Sequence, residues 1–404
     1  MTGATLKRDL RTGRSLWADS HGLGVPVKAL ERAVSVDVAI VGAGISGAFM
    51  AHELSRDHSV AVLDRRPPLM GSTIASTALL QWEIDLPLTA LTERIGAEKA
   101  RRAYRRSSSA VDALKTIVAD ERIVCGLNDK ATLYLAGDEY GFRALEAEAE
   151  ARAAMGLESV FLGKAEVRER FGIERTGAIL SQGSASGDPA RLAAGLLRRA
   201  QANGAMVYSP VEVEQAASDP DGVTLLTDAG HAVRARQVVF CCGYEFPKGV
   251  PTPGAEVIST WALASKPRLR CPAWLRETLV WEASDPYLYF RMGGDGRLIV
   301  GGEDEADPAA HQDPVKLKRK CETIAKKLRD LLPEVEFEVD YTWAGAFGES
   351  ATGLPSIAPV PAMANAWAVM GFGGNGITYS VIASQIVAAG IRGRADPDAD
   401  LYRP

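Results

Sequence analysis

The chain has 404 residues, 47% hydrophobic and 24% charged, a globular composition too long for one small core, so two domains are expected. Its net charge of −5, without a long run of one sign, excludes a nucleic-acid surface. No stretch reaches the roughly 18 uninterrupted apolar residues of a membrane helix and the first residues lack a signal-peptide core, so a cytoplasmic protein without a membrane partner is expected.

The first distinct unit is SVDVAIVGAGISGAFMAHELSRDHSVAVLDRR. It predicts a buried strand over 36–41, a glycine turn, an amphipathic helix over 45–56 and a second strand over 59–63. The segment GSTIASTALLQWEID follows, poor in charge and rich in small residues, as backbone packed close against something would be. Helices are predicted over 98–119 and 137–155, around the strand ATLYLAG. Another over 189–203 has Asp188 as N-cap and Pro189 at its first position.

From 206 to 242 the pattern is β-rich, with turn signals at DPDG and DAG and the apolar strand QVVFC at its end. A second β-rich stretch covers 256–302, with PYLYFR and RLIVGGEDE as its most regular strands. The basic amphipathic helix predicted over 314–332 presents a solvated face over a core stripe. AWAVMGF, GGN and 376–390 then repeat the opening order of strand, turn and helix, which predicts one domain assembled from distant segments. The five cysteines, Cys125, Cys241, Cys242, Cys271 and Cys321, lack metal-ligand spacing and are expected to be buried free thiols, with no metal site.

The chemistry starts at the glycine turn. Gly42, Gly44 and Gly47 stand between strand and helix, where the first permits a tight turn, the second admits a pyrophosphate and the third lets helix and strand pack closely. With Ala43, Ile45 and Ser46 they form the opening of a helix whose free N–H groups and dipole favour phosphate. Asp64 ends the second strand, where a carboxylate accepts hydrogen bonds from a ribose. Arg65 and Arg66 are either adenosine contacts or surface charge. This unit alone suits NAD or FAD.

Four segments in order decide between them: DVAIVGAGISGA; GSTIASTALLQ; the run from GDPARLAAGLLRRAQANGA to VVFCCGYE; and WAGAFGESATGLPSIAP with GFGGNGITYS. In these the chain resembles, over nearly its whole length, the FAD-dependent amine and amino-acid oxidases typified by D-amino acid oxidase, glycine oxidase and sarcosine oxidase. In style it is most similar to the γ-glutamylputrescine oxidase branch. The resemblance implies an α/β (α+β overall) protein. A discontinuous Rossmann-like FAD domain is expected from 1–88, 164–250 and 341–404, and a substrate domain built on a large antiparallel sheet from 89–163 and 251–340.

It also implies site residues. Gly71, Ser72, Thr73, Ser76, Thr77, Ala78, Leu79 and Leu80 lie along the flavin, Val211 meets the adenine, and Cys242 and Gly243 pass the pyrophosphate or ribityl chain. Gly345 and Phe372 are expected cofactor contacts, and Gly373, Gly374, Asn375, Gly376, Ile377 and Thr378 belong to the flavin's pyrimidine end, where a helix N-terminus stabilises the charge of reduced flavin. The stretch WAGAFGES lacks the attachment cysteine of some relatives, so noncovalent FAD is expected.

The expected reaction is oxidation of a C–N bond by hydride transfer to flavin, with oxygen or another acceptor taking the electrons onward. The cations that grip a carboxylate in these families are missing. Phe347 replaces the arginine of glycine oxidase, and Ala78, Gln81 and Thr378 replace two arginines and a lysine of the sarcosine oxidases. A buried carboxylate without a cation is costly, so an amine or modified amino acid is favoured over a small α-amino acid.

Period-two alternation puts Tyr287, Tyr289 and Arg291 on one strand face, so Arg291 is either a substrate anchor or an ion-pair partner of the acids in GGEDE. Gln81, Trp82, Glu83 and Asp85 follow the flavin loop, with Glu83 or Asp85 as attractors of a cationic amine or as surface acids. Trp261 and Trp343 are either an aromatic wall or core. A 2-hydroxy-acid dehydrogenase and a flavoprotein subunit without turnover are the alternative functions.

Overall fold

Continuous apolar runs form the parallel centre of a sheet. In the computed structural model, which describes residues 5–245, 247–248, 255–350 and 352–403, strand Val34–Val41 pairs in parallel with Val60–Leu63 on one side and Ala232–Phe240 on the other. Ile40 lies opposite both Val62 and Val239, as expected for strands covered on both faces. Met206–Tyr208 and Ala366–Met370 extend this sheet in parallel, Ser356–Pro359 closes one edge antiparallel, and a meander of Val213–Asp219 and Gly222–Thr227 joins Ala232–Phe240. Segments from the start, middle and end of the chain therefore lie side by side. Helices Ile45–Leu54, Pro189–Ala202 and Gly376–Ile391 pack together, burying Phe49, Met50, Leu196, Leu197 and Val381. Asp188 caps the second of them by accepting from the Ala190 and Arg191 N–H groups.

The larger sheet has ten strands among the described residues. Its order runs Arg11–Gly13, Val339–Ser350, Ala255–Ser265, Leu298–Glu305, Leu288–Met292, Thr278–Glu282, Asn128–Leu135, Gly177–Ser186 and Leu79–Leu80, with Ser159–Gly163 also on Gly177–Ser186. Every pairing is antiparallel except Thr278–Glu282 with Asn128–Leu135. Gly177–Ser186 and Val339–Ser350, placed by their segments at 164–250 and 341–404 with the nucleotide-binding part, hydrogen-bond within this larger sheet. The expected break between 250 and 251 lies outside the described residues.

One face of the larger sheet is covered by helix Pro314–Leu331, whose Leu317, Cys321, Ile324 and Leu328 pack on Leu263, Val300 and Trp261. The opposite face looks toward the smaller sheet. The helix expected from residue 137 begins at Phe142. Gly137 cannot start it, because its N–H closes a turn onto the Tyr140 carbonyl and its Cα side lies against the Ala283 backbone.

Candidate active site

Between the sheets lies a cavity of about 950 Å³, within the range of cofactor and substrate sites. Its first end is built by the glycine turn. Gly42 has φ +113°, and a Cβ on Gly47 would stand 1.8 Å from the Gly42 carbonyl oxygen, so both positions require glycine. The Ala43 N–H donates to Asp64 Oδ2 at 2.7 Å and the Arg66 N–H to Oδ1 at 2.8 Å, while burial pushes the Asp64 carboxyl upward. Helix Ile45–Leu54 begins without a side-chain cap, although Ile45 N–H reaches Thr73 Oγ1 at 2.9 Å. Arg65 and Arg66 line this end and are both paired with Glu245, Arg66 at 2.7 Å. Val211, Cys242 and Gly243 line it too.

The residues fit a dinucleotide. Ser72 Oγ and Arg65 Nη1 are buried without a hydrogen-bond partner, both on the lining, which is what a site shaped for a polar ligand leaves behind.

The middle of the cavity is the loop 71–81. Gly71, Ser72, Thr73, Ser76, Thr77, Ala78, Leu79 and Gln81 line it, and Ala78 holds φ +53°, a conformation uncommon for a residue with a Cβ. Side chains fix the loop from behind, Ser15 and Trp17 donating to the Ile74 and Ser76 carbonyls. Trp343 Nε1 donates to the Ala75 carbonyl at 2.8 Å, Arg291 Nε to the Thr77 carbonyl at 2.7 Å, and Thr378 Oγ1 to the Gln81 carbonyl at 3.1 Å. Beyond it, Gly345, Phe372, Gly373, Gly374, Asn375, Gly376 and Ile377 line the far wall at the N-terminus of helix Gly376–Ile391. Asp85 Oδ2 accepts the Gly374 N–H at 2.7 Å, and a Cβ on Gly374 would stand 2.4 Å from the Asp85 carboxylate.

The last wall is the open face of the larger sheet. Register places Tyr134 beside Trp281, Trp281 opposite Tyr289, and Tyr289 opposite Gly301. The Tyr134 and Trp281 rings stack with centroids 3.7 Å apart, and Tyr287 and Tyr289 stack at 5.5 Å. A Cβ on Gly301 would meet the Tyr289 hydroxyl at 2.3 Å, so glycine there makes room for the phenol. On the neighbouring strands Glu256, Ile258 and Thr260 face Glu349, Phe347 and Gly345 across one antiparallel pair, and all six line the cavity.

Asp304 completes this wall, with Oδ2 accepting from the Tyr287 hydroxyl at 2.8 Å. Burial, with Glu349 nearby, pushes the carboxyls of Asp85 and Asp304 up to about 6. Burial and the charges of Glu256 and Asp285 also raise Glu349.

Several expected site residues stand elsewhere. Arg291 points along the predicted face, but the cavity stops at Tyr289. Its guanidinium is only 2% exposed and is spent on the carbonyls of Thr77, Gly187 and Met292, so it neither lines the cavity nor pairs with the acids of GGEDE. Burial lowers its pKa to about 10. Those acids are held by Lys316, Lys320, Lys327 and Tyr287.

Trp261 faces helix Pro314–Leu331, with Lys320 Nζ 4.7 Å from its ring centroid, and Trp343 backs the loop, so neither forms an aromatic wall. Trp82 and Glu83 turn away from the cavity, whereas Gln81 and Asp85 line it. Ala43, Gly47, Leu80 and Thr378 support the lining from behind. Missed altogether were Tyr134, Trp281, Asp304 and Glu349; period-two alternation marks their faces, but only strand pairing brings them together.

The family described as FAD dependent oxidoreductase (DAO) matches residues 37–389. In sequence the chain is similar to the gamma-glutamylputrescine oxidoreductase of Escherichia coli (strain K12), 23% identical over 394 residues that cover 95% of this chain and 89% of that one. It is 25% identical to the glycine oxidase of Geobacillus kaustophilus (strain HTA426) over 368 residues, 87% of this chain and 92% of the relative. The crystal structure of glycine oxidase from Geobacillus kaustophilus superposes with a TM-score of 0.77 at 23% identity, covering 90% of this chain and 96% of that one.

Proposed function

The chain belongs to the DAO family of FAD-dependent oxidoreductases, and from that premise we propose that it oxidises a C–N bond of a cationic amine held against the acidic, aromatic face of the larger sheet. The observation that carries this is charge. Asp85, Asp304 and Glu349 line the cavity without an ion-pair partner among the described residues, and the neighbouring Phe347 brings no cation to them. The lining cations are Arg65 and Arg66, tied to Glu245, and Arg94, which is itself engaged.

FAD, when bound, supplies the acceptor for the two electrons and hydrogen leaving the substrate carbon. The glycine turn, Asp64 and Ser72 hold its nucleotide half, and the loop 71–81 with the Gly376–Ile391 N-terminus holds its ring. Tyr289, Trp281 and Phe347 exclude water from the substrate, while Asp304 and Asp85 attract its ammonium group. Oxygen or another acceptor takes the electrons onward. In this arrangement 1–88, 164–250 and 341–404 hold the cofactor and 89–163 with 251–340 cover the substrate, Arg11–Gly13, Leu79–Leu80, Gly177–Ser186 and Val339–Ser350 being lent to the larger sheet.

We hold the FAD to be noncovalent, since the lining cysteines, Cys241 and Cys242, are at the nucleotide end and burial raises both thiols, Cys241 to about 12. Five unpaired cysteines also support a cytoplasmic setting, and no helix among the described residues is long and apolar enough to cross a membrane.

Anaerobic mixing with amines is expected to bleach the bound flavin, and acid denaturation to leave the yellow colour in the supernatant. Bleaching by hydroxy acids and not by amines would replace this reading with a hydroxy-acid dehydrogenase.

The carboxylates also set a pH dependence. Asp85 and Asp304 carry charge above about 6 and lose it below, so affinity for a cationic ligand should fall as pH drops from 7 to 5. Asp304→Asn should weaken that ligand by about tenfold at pH 7 and flatten the profile. A profile unchanged by Asp304→Asn would remove Asp304 from the site.

A further inference from the structure

The acids on the cavity wall outnumber what one ammonium group can neutralise. Glu256 and Glu349 are direct cross-strand neighbours on the cavity face, an arrangement that repels and is destabilising in a sheet without a compensating cation. Asp285 stands beside them at the cavity mouth, while Asp85 and Asp304 lie at the glycine-rich far wall and beneath Tyr287. None of the five makes an ion pair with a described residue, whereas Glu282, Glu303 and Glu305 on or near the same wall all do.

Two further groups point to a ligand. Gln81 and Trp281 are 7% and 8% exposed, both line the cavity, and Gln81 Oε1 and Trp281 Nε1 have no hydrogen-bond partner. The stacked pairs Tyr134–Trp281 and Tyr287–Tyr289 share this wall, where aromatic faces favour cations, and Glu349 links the acids into one row, near Asp85 and Asp304 on one side and Glu256 and Asp285 on the other.

We propose that the substrate is a terminal diamine or polyamine: one nitrogen is the reacting amine near Asp85 and Asp304, and a second, still protonated, is read by the outer group of Glu256, Asp285 and Glu349. This rests on the amine reading above and adds a second recognition point to it. A carboxylate at the far end of the substrate would meet the outer acids and be repelled, which separates this class from amino acids.

The test uses oxidised holoenzyme and calorimetry with ligands that cannot react, an alkane bearing a trimethylammonium group at each end against its singly charged counterpart. The dication should bind about tenfold more tightly, with the advantage lost in high salt. Glu256→Gln with Glu349→Gln should shrink the ratio of the two affinities to about twofold, a selective change that general damage to the fold would not give.

Anaerobic flavin reduction should follow the same order, a four-carbon terminal diamine ahead of butylamine and both ahead of the ω-amino acid of equal length. Equal affinities of dication and monocation, or an undiminished ratio in the double variant, overturn the second recognition point. Bleaching by butylamine as readily as by the diamine overturns it too and leaves the amine reading standing. Failure of every amine beside success of hydroxy acids overturns both.

Discussion

Gly47→Ala should yield protein that purifies with little or no flavin. The new methyl would stand 1.8 Å from the Gly42 carbonyl oxygen and 3.0 Å from its carbon, both backbone atoms of the turn that carries the pyrophosphate. Helix Ile45–Leu54 would have to move away from strand Val34–Val41, carrying its N-terminal N–H groups off the phosphate. Overpacking of this kind costs about 1–3 kcal/mol, which converts to about fivefold to 150-fold in FAD affinity if the strain falls on the bound state. Gly44→Ala is the milder comparison, since its Cβ would be 3.1 Å from Thr73 Oγ1, the end of a side chain that can rotate. Visible absorbance per mole of protein and calorimetric titration with FAD measure both. Flavin occupancy at the parent level in Gly47→Ala would mean that the turn relaxes and that the glycine triad does not set cofactor affinity.

The second large effect is on stability. Arg152 is fully buried, donates through Nε to Glu148 Oε1 at 2.7 Å, lies 3.8 Å from Glu83 Oε1, and is surrounded by the rings of Trp82, Tyr104 and Tyr134 within 6.0 Å. Glu148 in turn caps helix Leu88–Ile95 by accepting from the Leu88 and Thr89 N–H groups at 2.8 Å. Arg152→Met keeps the volume and removes the cation, leaving two buried carboxyls facing each other. The expected loss is about 3–5 kcal/mol, read as a shift of the denaturant midpoint.

The sign with pH follows from the carboxyls. Burial already raises Glu83 above the ordinary 4.5, whereas Arg152 and the helix N–H groups outweigh burial to hold Glu148 below it; losing the cation raises both. The unfolded chain then ionises while the folded one resists, so the variant's deficit is smallest near pH 4 and grows toward pH 7. Adding Glu83→Gln and Glu148→Gln should recover most of the loss. A deficit independent of pH would assign the role of Arg152 to packing alone.

How much of this was legible depended on the range of the interaction. The turn Gly42–Gly47 with Asp64 could be read because strand, turn, helix and acid sit within one local unit, and its geometry is dictated by steric rules. The far-end turn at Gly373 could be read for the same reason. The strand alternation placed Tyr287, Tyr289 and Arg291 on one face, but alternation does not say where along a strand a cavity ends, and the loop 71–81 covers the last of the three. The acid pair Glu256 and Glu349 was invisible because it exists only in the register between two strands far apart in sequence. Trp281 and Tyr134 meet through the one parallel pairing of the larger sheet, which local pattern does not announce.

The interleaving of the smaller sheet has a consequence for biosynthesis. Its central strand, Val34–Val41, leaves the ribosome early, yet one neighbour spans Ala232–Phe240 and the helix that closes the ring-binding wall spans Gly376–Ile391. That segment therefore waits with an apolar edge uncovered until Ala232–Phe240 has been translated, a window in which a chaperone has something to hold. A nascent chain halted before residue 376 should be unable to retain flavin, whatever the integrity of its glycine turn.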